Sequence, residues 1–327
     1  MRKRPFHITL LAAGVLLAAA CDPHEFPSSR SGDAMRDFSL QVLFDDELPQ
    51  LQEIRQNTKA SAAPRTRYTL ELYRYEGDVT YGLTPEYSWS FTRNELYEID
   101  TTIFLPVDAA RYKAVGWVDW LDEEGQPYYD FKDPEDIRIA HDYPVGEFAR
   151  DAFSGAVTAD FTGYTTAGIP RQYTLTMRRP VAQLRFQAPE ALTFLSRAGV
   201  DAGSLLAILR YTSAIPDGYD LLRDRTADTR TDVVLSCAPE MGVGGELMFA
   251  TDFIFCPDEE SSVDVDFRVL ASTGEVLASY AGSLPVRRGH HTTVSFVPPG
   301  GGGGTDTPGG IGISPGFDEE IEVPIGD

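Results

Sequence analysis

Past residue 36 the chain is written in short runs of alternating apolar and polar residues, each stopped by Gly, Pro, Asp or Ser. The first set is 38–44, 68–75, 101–105, 112–120, 156–161, 173–177 and 181–186; the second is 233–237, 247–256, 263–270, 275–280 and 292–297. A period of two sends successive side chains to opposite faces of a strand, so each run can bury one face. Intervals of about ten to fifteen residues leave little room for the helical crossovers of a parallel α/β sheet. The pattern therefore predicts an all-β chain of sandwich domains. One segment breaks the period. Residues 189–199 open on Pro189, space Leu192 and Leu195 by three, and stop at Gly199, which predicts one short helix at a sheet edge.

Punctuation divides the chain further. Arg178-Arg179-Pro180 separates two blocks of ordinary sandwich size, an N-terminal domain over 37–178 and a C-terminal domain over 179–297. Residues 21–36 are short, polar and rich in Pro and Ser, and read as a tether. The last segment, 298–327, holds ten Gly, five Pro and six acids with no Lys or Arg. Its Gly300–Gly304 run reads as a flexible linker. Yet Ile321, Val323 and Ile325 lie two apart, a strand period inside a linker-like composition. They define a candidate added strand, paired in this chain's own sandwich or a neighbour's; the alternative is a disordered acidic tail.

The N-terminus has the shape of an export signal. Arg2, Lys3 and Arg4 precede an apolar stretch from Ile8 to Ala20. That stretch is shorter than the about 20 residues a membrane-spanning helix needs. It ends Leu17-Ala18-Ala19-Ala20-Cys21, which resembles the bacterial lipobox, with Ala18 where Leu is usual. Residues 1–20 are thus expected to be removed and Cys21 to be acylated, anchoring the protein in the outer membrane through lipid alone. Losing Arg2, Lys3 and Arg4 moves the net charge from −22 to −25. Such an acidic surface repels phosphate backbones, which argues against a nucleic-acid partner.

Catalytic motifs are missing. The chain has no Gly-x-Ser-x-Gly elbow, no Walker loop and no His-Glu-x-x-His, and only five His in 327 residues. No enzyme activity, cofactor or metal is expected. Gly242–Gly245 reads as a hairpin turn and His290-His291 as a solvated turn. His141-Asp142 has no nucleophile beside it, and the acidic runs at 45–47, 122–124 and 258–260 lack a calcium-loop pattern. Trp117 and Trp120 have opposite parity on one strand, so at most one can face outward, and core packing is the expectation for them and Trp89. Cys237 and Cys256 are the candidate disulfide. If Gly242–Gly245 closes a hairpin, however, Cys237 falls opposite residue 249 or 250, and Cys256 lies about 20 Å further on.

Several stretches together resemble the fimbrillin-type lipoproteins of the Bacteroidetes, which include fimbrial subunits and their anchors. They are Leu105-Pro106 leading into 112–119, Tyr128-Tyr129-Asp130, residues 150–155, residues 179–186, and residues 284–294, where Gly289 stands in place of the usual Asn. The resemblance implies two tandem transthyretin-like sandwiches, no catalysis, and a role in fimbriae assembled by strand exchange with other fimbrial subunits. It also implies that an Arg-specific protease cuts the loop 56–67, at Arg65 or Arg67, and removes the first strand. A loop that is never cut, as an anchor requires, is the other reading. A surface lipoprotein that binds glycans or host ligands on the same scaffold is the alternative function.

Overall fold

The computed structural model describes residues 36–44, 65–76, 82, 84–93, 99–105, 110–122, 124–140, 150–162, 171–242, 244–257, 260–297 and 319–324. The first half contributes β1 (Arg36–Phe44), β2 (Arg65–Arg74), β3 (Tyr87–Arg93), β4 (Ile99–Leu105), β5 (Arg111–Leu121), β6 (Tyr129–Asp130), β7 (Ile137–Ile139), β8 (Ala152–Asp160) and β9 (Arg171–Met177). The second half begins with β10 (Val181–Ala188), α1 (Ala191–Ala198), β11 (Leu205–Tyr211), β12 (Ile215–Asp220), β13 (Arg225–Arg230) and β14 (Val234–Cys237). It continues with β15 (Glu240–Met241), β16 (Leu247–Phe255), β17 (Ser261–Ala271), β18 (Val276–Val286), β19 (His291–Val297) and β20 (Glu319–Pro324). The fold is all-β, with one short α-helix among the described residues.

In the first sandwich, sheet β4-β1-β9 faces sheet β3-β2-β5-β8. In the second, β15-β16-β10-β19-β20 faces β14-β11-β17-β18. The two halves repeat one plan. Their opening strands, β1 and β10, each lie antiparallel to one neighbour (β4, β16) and parallel to another (β9, β19). The facing sheets match in the same way, with β2 and β11 each between two antiparallel partners. Against that plan, β6–β7 and β12–β13 are insertions, and β20 is an appended strand.

The insertions meet each other. β7 pairs with β12, Gly218 opposite Arg138 and Tyr219 opposite Ile137, giving a sheet β13-β12-β7-β6 shared by both halves. Beneath it lies a core cluster that includes Tyr73, Val115, Trp117, Tyr129, Tyr219, Phe253 and Phe255. Sheets β3-β2-β5-β8 and β15-β16-β10-β19-β20 are therefore covered on both faces where they meet. β5 shows the consequence: Tyr112, Ala114, Val118 and Trp120 point into the first sandwich, while Val115 and Trp117 point into the shared cluster. Trp117 and Trp120 do have opposite parity, and both are buried because each face of the strand has its own core.

Two sequence readings change in three dimensions. Helix α1 ends at Gly199 in the left-handed conformation (φ 64°), but Ala191 and Phe194 face the core and Leu192 is 77% exposed. The inward pair is offset one residue from the Leu192–Leu195 stripe. The hairpin β15–β16 does turn through Gly242–Gly245. Cys237, however, has left that ladder: it lies in β14, opposite Ala207 of the facing sheet. Cys237 and Cys256 are buried thiols without a bridge. Burial pushes the Cys237 thiol up to about 12.

Candidate functional site

Three sets of residues carry the functional expectations: Cys21, the cleavage loop with Arg65 and Arg67, and the tail with Ile321, Val323 and Ile325. Cys21 lies outside the described residues. So do residues 56–64 of the expected cleavage loop, His141-Asp142, and Ile325.

Arg65 and Arg67 are not loop residues. Both belong to β2, where Arg65 is opposite Leu121 and Arg67 opposite Asp119. Arg65 is exposed at the strand entry, whereas Thr66 beside it is fully buried. Arg67 makes a two-pronged ion pair with Asp119, Nε to Oδ1 at 2.8 Å and Nη2 to Oδ2 at 2.5 Å, and donates to the Tyr129 carbonyl at 2.9 Å. Burial pushes the Asp119 carboxyl up, and the Arg67 hydrogen bonds work against that shift. A charged pair on a strand of alternating residues reads as a loop terminus in sequence; the partner Asp119, 52 residues away, makes it part of the sheet.

β1 occupies the middle of a three-stranded sheet. One edge pairs antiparallel with β4, from Arg36 opposite Leu105 to Val42 opposite Ile99. The other pairs parallel with β9, from Phe38 opposite Arg171 to Phe44 opposite Met177. Val42 and Phe44 are buried, and the Phe44 ring meets Phe153 edge-on at 5.0 Å. Removing β1 would leave β4 and β9 facing each other across roughly 9.5 Å, the width of one missing strand. At one side of that slot β9 lies close against β8. Gly155 has no Cβ, and one built there would sit 2.8 Å from the Thr176 carbonyl of β9.

The tail strand β20 pairs parallel with β19, with Ile321 opposite Val294 and Val323 opposite Phe296. Adjacent parallel strands need a connection of a dozen or more residues, and 21 residues separate Val297 from Glu319.

Across the boundary at Arg178-Arg179 the halves are joined by buried charge. Arg150, 1% exposed, pairs with the fully buried Asp252 and donates to the Phe253 carbonyl at 3.0 Å. Tyr211 donates to the other Asp252 oxygen at 2.6 Å. Arg179 grips Asp151 through Nε at 2.7 and 2.8 Å and lies over the Phe153 ring at 4.9 Å. At the shared sheet, Arg138 reaches Asp217 and Asp228, and Arg223 reaches Glu135 at 3.0 Å. Sequence reading missed this set entirely, because every ion pair in it except Arg179–Asp151 joins residues more than 70 apart.

Residues 36–326 match a family described as a family of unknown function, DUF6562. The chain belongs to that family. No curated protein matches it. Solved structures similar to this DUF6562 chain include a candidate adhesin from Bacteroides ovatus, 12% identical with a TM-score of 0.42, covering 75% of this chain and 76% of the other. The fimbrial anchor protein Mfa2 from Porphyromonas gingivalis is 9% identical with a TM-score of 0.38 over 75% and 82% of the two chains. A fimbrial assembly protein from Parabacteroides distasonis is 9% identical with a TM-score of 0.37 over 81% and 92%.

Within the described part of this DUF6562 chain, no group of three or more His, Cys, Asp or Glu is placed to hold a metal ion. Trp117 and Trp120 are buried, and Trp89 is half-buried against the first core.

Proposed function

We propose that this protein is a non-enzymatic cell-surface lipoprotein, acylated at Cys21 and held at the outer membrane, with a structural and adhesive role in fimbria assembly by strand exchange. The observation that carries the proposal is the position of β1. Among the described residues it is the one strand between the expected lipid site and the first Arg of β2, and it fills a two-sided slot between β4 and β9. Cutting the chain after Arg65 would release residues 21–65 from the rest and vacate the slot. Arg65 suits this role better than Arg67, which is tied to Asp119. A donor entering the slot must run parallel to β9, as β1 does. The tail strand already pairs in the parallel sense with β19, and a neighbour's tail carrying Ile321, Val323 and Ile325 would meet that requirement.

Mass spectrometry of the protein purified from native membranes tests the reading. A chain starting at Thr66 supports a polymerising subunit, and an acylated Cys21 supports an anchor or a stand-alone lipoprotein. Cys21→Ser is expected to release the full-length chain from washed membranes. A chain that keeps residues 1–20, or a Cys21→Ser variant that stays membrane-bound, refutes it.

A further inference from the structure

The bond after Arg65 lies inside the first sandwich, not ahead of it. β2 is an inner strand, and its entry is already paired on both sides. Arg65, Thr66 and Arg67 stand opposite Leu121, Trp120 and Asp119 of β5, and Thr66 and Arg67 opposite Arg93 and Thr92 of β3. Thr66, which a cut would turn into the new N-terminus, is fully buried, and its hydroxyl has no hydrogen-bond partner. The Arg65 guanidinium lies against the turn at Gly125, where an added Cβ would overlap it. That turn is closed by the Gly125 amide donating to the Asp122 carbonyl at 3.0 Å and the Asp122 amide to the Gln126 carbonyl at 2.8 Å. A protease must draw Thr66 and Arg67 out of both ladders to reach the bond, so cleavage of the folded chain passes through a local opening. Arg67 resists that opening. It holds the fully buried Asp119 carboxylate through two hydrogen bonds and donates a third to the Tyr129 carbonyl. No other cation among the described residues pairs with Asp119. Lifting Arg67 away leaves that carboxylate in the interior without a counter-charge, the costly way to break a buried pair.

We infer that the Arg67–Asp119 pair is a latch on the Arg65–Thr66 bond and sets the rate at which an Arg-specific protease hydrolyses the folded chain there. The inference rests on the reading of Arg65 as the cut site and names what regulates the cut. Water adds across the Arg65–Thr66 amide, Arg65 leaves with the new carboxylate, and Thr66 keeps the new amine. Both latch residues lie on the retained side of the bond, so the pair re-forms after the cut. β2 then stays in its sheet while residues 21–65 are free to leave. The latch therefore holds β1 on the chain during the closed state and gives it up only from the open one.

Limited proteolysis of the purified full-length chain by an Arg-specific protease tests the latch. The protease is kept dilute, so that opening equilibrates before each cut and the rate follows the open population. Mass spectrometry counts the chains that start at Thr66. The parent should be cut after Arg65 at least about tenfold more slowly than a free peptide of residues 60–70, which has no sheet to leave. Asp119→Asn keeps the shape and removes the charge, and should raise the rate in the full chain at least about tenfold, as loss of a charge-assisted hydrogen bond does. Arg67→Lys keeps the charge but not the two-pronged grip, and should raise the rate by a smaller factor. Cleavage after Arg268, in β17 of the other sandwich, should not change in either variant. Three results would each overturn the latch: a parent cut as fast as the peptide, variants cut no faster than the parent, or an equal rise after Arg268, which marks general unfolding. These rates are read with added protease, whereas the N-terminus of the native chain decides between subunit and anchor, so the two readings fail separately.

Discussion

Removing the cation of the Arg150–Asp252 pair separates two views of how the halves are held together. Arg150 is 1% exposed and Asp252 is fully buried. Their ion pair spans the boundary between sandwiches, and Asp252 keeps only the Tyr211 hydroxyl if the arginine goes. Arg150→Met preserves much of the side-chain volume but strands a carboxylate in the interior. Breaking a buried pair on one side costs about 3–5 kcal/mol. Replacing both partners, Arg150→Met with Asp252→Leu, removes the stranded charge, and the loss should shrink to within about 1 kcal/mol of the parent. Urea unfolding followed by Trp fluorescence and by far-UV circular dichroism measures both numbers. The two probes should coincide in the parent chain, because the shared sheet and the Trp117–Tyr219 cluster bind the halves into one unit. Equal losses in the single and double variants would refute the argument that the cost is the uncompensated charge. Two separate transitions in the parent would refute the coupling itself.

Three further outcomes follow from particular contacts. Gly155→Val forces a side chain against the Thr176 carbonyl 2.8 Å from the new Cβ, and should lower stability by about 1–3 kcal/mol in thermal or urea unfolding; an unchanged midpoint would show that β9 moves freely. Burial first of all pushes the phenols of Tyr73, Tyr112, Tyr129 and Tyr219 upward. Folded values above the unfolded one of about 10 mean that their contribution is whole below pH 10 and is lost as pH rises past it. Absorbance at the tyrosinate band should therefore complete its rise only with loss of the β signal, and full ionisation of a folded chain would contradict this. Deleting residues 300–327 removes β20 and bares the edge of β19 from Thr292 to Val297, so the melting temperature should fall by a few degrees; an identical melting curve would make the tail strand energetically passive.

The sequence by itself determined the strands whose alternation is strong, such as those containing Tyr68, Val115, Val265 and Val294, because a buried sheet face demands a period of two whatever else surrounds it. It also determined the turns at Gly199, Gly245 and Gly289, where the backbone sits at positive φ and a side chain would be strained. The parallel pairing of Ile321 and Val323 with β19 was half legible: the period is visible in the tail, but the partner is not. Only the tertiary structure decided the rest. β12 and β13 read Ile-Pro-Asp-Gly-Tyr-Asp and Arg-Thr-Ala-Asp-Thr-Arg, compositions of loops, and they become strands because β7 and the Arg138 ion pairs lie beside them. Arg67 looked like the end of a cleavable loop and is a sheet residue because Asp119 is buried opposite it. Cys237 was expected to continue a hairpin and instead crosses to the facing sheet. In each case the deciding contact joins residues far apart in the chain. Local periodicity and propensity report which face of a segment is apolar, but they hold no information about which distant charge or strand edge will be there to meet it.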